Sequence, residues 1–512
     1  MNSMGTRRWW ALAALDLGVL AVGLDVTVLS VALPTLATSL KASESDLQWF
    51  SSAYALVLAA GMLPAGVLGD RFGRKRILLG ALVVFGLGSV ACAFAVNPAQ
   101  FIAGRVLLGA AGAAIVVMAL SVMTVLFNEE ERPRAVGIWA AANFLALPIG
   151  PIFGGWLLTN YWWGWIFLMN VPVALLGTVA VLALVPESRA VQKPALDPLG
   201  MTLVTAALVG VTYGLIELGR NGWTDGRSLA ALALGIALGL AFFAWERYLG
   251  ARPGGRPLID LALFRSRGFT WGTLLATLGG LALIGIVFTL PQYSQGVLGL
   301  DPEGAGVRLL PLIIGLILGA VPADRVALRV GPRITVATGF AITAAGLVLG
   351  ATTAVGSSAL FVAGWVAVVG FGMGVGFATA ASAALKTVPS EKSGVASALI
   401  QAMQKVGAPL GSAIFGSVLV TVYQSSLTLT GLPPAAAELV KRSVFAGVAV
   451  ADRLHSAALL DSVRHAFVQG MDAALVFSAA IAALATVAAL IFLPGRETIA
   501  AETERQAAEQ VA

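Results

Sequence analysis

The sequence predicts an all-α polytopic membrane protein, and three observations carry that prediction. Hydrophobic residues make up 58% of the 512-residue chain and charged residues only 11%, where an ordinary soluble domain has about 25% charged. Apolar stretches of spanning length, about 17–25 residues each, recur from Trp9 to Leu493. Lys and Arg collect in the short connections between those stretches, so the net charge of +6 reads as a topology signal and not as a nucleic-acid surface. Arg7 and Arg8 ahead of an apolar run have the outline of a secretory signal, but no convincing cleavage site follows and many further spans do.

Breaking the hydropathy at charge, Gly and Pro clusters gives about fourteen helices. They are Trp10–Leu33, Leu47–Leu68, Ile77–Ala95, Phe101–Leu126, Ala135–Leu158, Gly164–Leu184, Leu199–Glu217, Leu229–Trp245, Phe269–Tyr293, Ala305–Val321, Ile334–Ala351, Ala359–Leu385, Val395–Val422 and Ala473–Leu493. With the N-terminus inside, most of the 32 Lys and Arg fall in cytoplasmic segments, which places both termini in the cytoplasm. Trp162, Trp163 and Trp165 then cluster at one external end, where an aromatic belt is expected.

The chain echoes itself. GVLGDRFGRKR at Gly66–Arg76, after the second helix, is matched by ADRVALRVGPR at Ala323–Arg333, after the tenth; each has an Asp-Arg pair and then a Gly close to a closing Arg. This is the mark of a parallel internal repeat. It implies an N-terminal bundle of six helices over 1–190, two additional helices and a linker over 191–265, a C-terminal bundle of six over 266–496, and a tail over 497–512. Within the last bundle, residues 424–472 form a long external connection. Apolar residues there recur at three and four, as in an amphipathic helix on the external surface, serving either as a lid or as a hairpin with no part in function. His455 and His465 lie in it without a ligand pattern, and the single cysteine, Cys92, sits in an apolar helix. No metal, cofactor or nucleic acid is expected.

The most informative residue is Asp25, about two-thirds of the way along an apolar run of roughly 24 residues. A charge at such depth costs roughly 2.5–3.5 kcal/mol and marks a functional site. Arg105, near the end of the fourth helix, comes within about 6 Å of the same depth. A pair is expected, with protons and a cationic cargo excluding each other at one carboxylate; a purely structural ion pair is the competing reading. Asp16, nine residues before Asp25 and on the opposite helix face, belongs near the inner interface. At the end of the second helix, Gly66, Gly69 and Gly73 permit close helix approach, while Asp70 can pair with Arg71, Arg74 or a partner's arginine, making a latch that forms and breaks. In the fifth helix, Gly150-Pro151 and Gly154-Gly155 give a kink and a smooth face, suited to closing the two halves on the cytoplasmic side.

These stretches resemble the signatures of the major facilitator superfamily. GVLGDRFGRKR resembles its signature loop; LDVTVLSVALP at Leu24–Pro34 and RVLLGAAGAA at Arg105–Ala114 resemble first- and fourth-helix motifs of its drug:proton antiporters. Gly137, Gly150, Pro151, Gly154 and Gly155 are similar to the fifth-helix antiporter motif, although its middle glycine is Ala146 here. Gly164 stands where relatives usually carry arginine. The resemblance implies the fourteen-helix branch of multidrug exporters, of the quaternary-ammonium and antibiotic resistance type. It implies a major facilitator fold of two six-helix bundles plus two additional central helices, a multi-pass place in the cytoplasmic (inner) membrane, and energy from the proton gradient. Relatives specialised for dications carry further acids where this chain has Ser52, Leu316, Gln401 and Lys405, which leaves Asp25 as the carboxylate open to both proton and cargo.

The expected function is efflux of lipophilic cationic or neutral compounds in exchange for protons, by a monomer in the bilayer. The alternatives are a dedicated exporter of one metabolite, lipid or antibiotic, and a non-transporting sensor or scaffold. No GK[ST] phosphate loop and no paired catalytic groups suggest an ATP-driven machine or an enzyme. Glu217 is read as interfacial. Cavity candidates, chosen as aromatic, Met or amide groups suited to an adaptable pocket, are Tyr54, Trp139, Asn143, Gln292, Tyr293, Met373, Phe377, Gln401 and Met403, with Lys405 beside them.

Overall fold

The computed structural model describes all residues except 1, 128–130, 132–134, 136–145, 147–148, 190–196, 253–256, 259–260, 387–392 and 496–512. Among the described residues every regular element is helical. In order these are α1 (Asn2–Ser39), α2 (Glu44–Phe72), α3 (Arg74–Ala93), α4 (Pro98–Leu126), α5 (149–160), α6 (Trp165–Leu168), α7 (Asn170–Leu184), α8 (Pro198–Asn221) and α9 (Gly226–Ala251). There follow α10 (Arg267–Gln292), which runs into a π-turn at Tyr293–Val297, then α11 (Pro302–Val307), α12 (Leu310–Val330), α13 (Pro332–Gly350), α14 (Ala359–Lys386), α15 (Ser393–Ser426), α16 (Pro434–Arg442), α17 (Val444–Arg453) and α18 (Ala457–Phe492).

The described helices include eleven long and apolar enough to cross a membrane, and twelve if the two parts of α2, bent by 49° ahead of Pro64, make one span. A proline lacks the N–H of the helix ladder and crowds the preceding turn, which accounts for the bend. The expected fifth helix falls largely outside the described residues, and α15 runs along the whole of the expected thirteenth. Helix starts follow ordinary capping chemistry. Ser43 and Asp46 form a reciprocal capping box at α2, while Asn97 accepts from the Gln100 amide ahead of Pro98 at α4.

Contacts divide the chain into two compact units, one of Met1–Val211, Ala231–Phe242 and Gly299–Val307, the other of Thr212–Ala230, Phe243–Leu298 and Arg308–Ala512. α8 and α9, within the 191–265 segment, are each divided between the units. Inside the first unit α2 and α3 both pack on α4; inside the second, α12 and α13 both pack on α14. The repeated sequence has a repeated shape as well. Gly73, at φ 119°, is the single residue between α2 and α3, and Gly331, at φ 90°, is the single residue between α12 and α13. Each amide donates back to close the preceding helix, Gly73 to Gly69 at 2.9 Å and Gly331 to Ala327 at 3.0 Å. Positive φ at a one-residue turn explains why glycine occupies both places.

Residues 424–472 are helical except at 427–433, 443 and 454–456, in keeping with their periodicity. α16 and α17 precede α18, which begins at Ala457 and not at Ala473 because Ser456 caps it and no breaker follows. The Tyr423 hydroxyl donates to the carbonyls of Val440 at 2.8 Å and Ser443 at 3.2 Å. Val440, Val444, Ala451 and Val463 are buried, and Val444 and Phe445 lie against Gly296 of the π-turn. The segment is therefore packed onto the end of α10 within the second unit.

Candidate functional site

The site is built inside the first unit. Asp25 faces inward from α1, and the Arg105 guanidinium reaches it from α4, with Nη1 2.5 Å from Asp25 Oδ2. Arg105 is held in two further ways. Its Nε donates to the Phe50 carbonyl of α2 at 3.0 Å, and its guanidinium lies over the Tyr54 ring, 4.3 Å from the centroid. The other carboxylate oxygen, Oδ1, accepts from Asn170 Nδ2 of α7 at 3.5 Å. Asp25 is 2% exposed, and Arg105, Asn170 and Tyr54 are 1% exposed. Such a pair survives desolvation only with good geometry and additional hydrogen bonds, and both are present.

Local sequence makes this closeness possible. A Cβ on Gly109 of α4 would lie 2.5 Å from the Tyr54 carbonyl oxygen, so only glycine lets α2 approach α4 there. The Tyr54 hydroxyl donates to the Val22 carbonyl at 3.3 Å. Phe50, Phe101 and Phe167 pack ring against ring beside the pair, with centroids 4.5 and 5.3 Å apart, and exclude water. Asp16 is also buried, at 8% exposure, and takes no part in this cluster; its Oδ1 has no hydrogen-bond partner among the described residues.

At the Gly66–Arg76 turn, Gly66 and Gly69 face Val117 and Met118 of α4. Asp70 pairs with Arg74 at 2.8 Å, while the Arg71 guanidinium lies 5.8 Å from the Phe72 ring. Sequence reasoning missed the group that pins this turn. Glu187, just beyond α7, sits against Gly73, accepts from the Lys75 amide at 3.2 Å and lies 3.6 Å from Arg76 Nε.

The described fifth-helix glycines make close helix contacts. Gly150 and Gly154 lie against Thr27 and Val28 of α1, Gly155 against Pro302 and Glu303, and the Pro151 carbonyl against Gly306. All of these neighbours belong to the first unit.

Among the described cavity candidates, Tyr54 lies in the first unit and Gln292, Tyr293, Met373, Phe377 and Met403 in the second. Tyr54 belongs to the charge pair, and Tyr293 donates to the Ala354 carbonyl at 2.9 Å. Gln292, Tyr293 and Met373 are at most 1% exposed and packed, while Phe377 and Met403 are half-buried. Gly137, Trp139 and Asn143, and the side chains of Gln401 and Lys405, lie outside the described residues. Among the positions compared for further acids, Ser52 is fully buried and Leu316 partly so. The structure adds an acid that the sequence reading had not weighed. Asp472 of α18 has a buried Oδ1 with no hydrogen-bond partner among the described residues. Asn170 was legible only as a polar residue in the apolar run WWGWIFLMNVP, next to Pro172.

Among the described residues, eleven or twelve apolar helices of spanning length together with a buried acid–base pair define a polytopic membrane protein whose buried charges mark a functional site. The sequence profile of the Major Facilitator Superfamily matches residues 15–412. The tetracenomycin C resistance and export protein of Streptomyces glaucescens is 32% identical, over 98% of this chain and 94% of its own. The multidrug efflux pump LfrA of Mycolicibacterium smegmatis is 32% identical over 94% and 95%, and the methyl viologen resistance protein SmvA of Salmonella typhimurium 33% identical over 92% and 95%. In fold, the chain is similar to an inward-facing, unoccupied bacterial homolog of the human lysosomal transporter Spinster, with TM-score 0.67 at 18% identity, covering 95% of this chain and 98% of that one. It is also similar to a D-xylose-proton symporter, with TM-score 0.59 at 16% identity over 95% and 98%. The chain belongs to the major facilitator superfamily and is a secondary transporter, not an enzyme.

Proposed function

We propose that this transporter exports lipophilic cationic or neutral drugs and toxic compounds across the cytoplasmic membrane in exchange for protons, with Asp25 as the exchanging group. The observation that carries the reading is the buried pair, 2.5 Å between Arg105 Nη1 and Asp25 Oδ2. Protonation of Asp25 removes the charge that Arg105 faces, yet the guanidinium keeps the Phe50 carbonyl and the Tyr54 ring. Arg105 thus stays satisfied in both states, which spares the protein the roughly 3–5 kcal/mol of leaving a buried charge unpartnered. A proton from outside and a cationic cargo from inside exclude each other at the carboxylate. The relatives named for multidrug efflux and for methyl viologen resistance support a drug cargo. The Gly66–Arg76 turn serves as the cytoplasmic gate and the fifth-helix glycines as a seal. Both termini lie in the cytoplasm, and the monomer is the working unit.

The test is reconstitution in proteoliposomes with an imposed pH gradient, following ethidium, a lipophilic monovalent cation. Wild type accumulates the dye; Asp25→Asn, inserted and folded, loses gradient-driven accumulation. Driven accumulation undiminished in Asp25→Asn sinks the mechanism, and a variant that does not fold returns the pair to a structural role. A second reading, export of one dedicated compound, is favoured by relatives named for tetracenomycin C and actinorhodin. A cargo panel in the same vesicles separates the two.

A further inference from the structure

We infer that Asn170 is a positioning residue of the proton site, serving as hydrogen-bond partner to Asp25 in both of its protonation states. The inference rests on the proton-exchange reading above and adds to it. Asp25 Oδ2 is taken by Arg105, while Oδ1 faces Asn170 Nδ2 at 3.5 Å, and all three residues are at most 2% exposed. The charged partner is one-sided, because a guanidinium has donors only and favours the carboxylate alone. A side-chain amide carries both an NH2 donor and a carbonyl acceptor. When a proton settles on Oδ1, the new O–H needs an acceptor in a site closed to water, and turning the Asn170 amide supplies its oxygen. The present 3.5 Å is at the outer limit of a hydrogen bond and leaves the amide free to turn.

The backbone at this point is suited to reporting the change. Asn170 is the first residue of α7, separated from α6 by Met169 alone, and Pro172 deprives the Leu168 carbonyl of its usual donor four residues on. Discontinuous helices at a charged site are where transporters place binding groups. Among the described residues, the other titratable groups around Asp25 are Arg105 on α4, Tyr54 on α2 and Cys92 on α3. α6, α7 and the described part of α5 add no acid or base at this contact, and α11, also packed on α1, carries Glu303.

Asn170→Leu is close in size and cannot hydrogen-bond; Asn170→Ser keeps a group that donates and accepts. In proteoliposomes, Asn170→Leu should exchange ethidium for ethidium at equal pH within about twofold of wild type, while gradient-driven accumulation falls at least about tenfold. Asn170→Ser should recover part of the driven accumulation. Wild-type accumulation by Asn170→Leu overturns the inference, and so does an equal loss of exchange and accumulation in both variants, which would mark a packing residue. Should Asn170→Leu be absent from the membrane, Asn170→Ser decides alone: a lowered ratio of accumulation to exchange supports the role and an unchanged ratio removes it. Asp25→Asn is run in parallel, because driven accumulation in that variant defeats the proton-exchange reading itself, whatever Asn170 does.

Discussion

Arg105 makes three contacts at once, to the Asp25 carboxylate, the Phe50 carbonyl and the face of Tyr54. A lysine keeps the charge but offers a compact ammonium in place of a planar fork and cannot hold all three. Arg105→Lys is therefore expected to insert and fold, yet to lose at least about tenfold of gradient-driven ethidium transport; full activity in vesicles would show that charge alone suffices. The pairing itself was legible in the sequence, because helix rise turns residue number into depth and an acid and a base at one depth seek each other. The Phe50 carbonyl and the Tyr54 ring were not, since they depend on how α2 is rotated against α4. Asn170 escaped for another reason: an uncharged amide in an apolar run carries no visible energetic cost.

The elements were read well where hydropathy and caps agree, and less well where a helix passes out of the apolar region without a breaker. α18 starts before its apolar run because Ser456 starts it, and the approach to the span is part of the same helix. The one-residue turn at Gly73 concentrates strain in a place that can be tested. Gly73→Ala puts a side chain at φ 119° and against the Glu187 carboxylate, and should cost about 1–3 kcal/mol, read as a lowered melting temperature in detergent. An unchanged melting curve would mean that the turn can rearrange freely. At the other unit's packed segment, Tyr423→Phe removes the hydroxyl that holds the ends of α16 and α17. It should lower stability by about 1 kcal/mol and speed protease cleavage in the 427–433 stretch, with the transmembrane helices still protected.

For the molecule as a whole, composition, loop charge and the echoed basic turns were enough to give the class and the repeated architecture, because the bilayer imposes both. At the fifth helix a run of small residues shows that helices approach closely but not which neighbour they meet, so the contacts of Gly150, Gly154 and Gly155 were not legible. Cargo charge belongs to this scale too. With Asp25 as the exchanging carboxylate, monovalent ethidium should be transported about tenfold better than divalent methyl viologen at equal concentration. Equal transport would bring a second acid, such as Asp472, into recognition. The charge pair and every group hydrogen-bonded to it come from α1, α2, α4 and α7, all within one unit. On the proton-exchange reading proposed above, substitutions in the second unit leave these residues and their hydrogen bonds in place, so a change acquired there need not disturb the exchanging group.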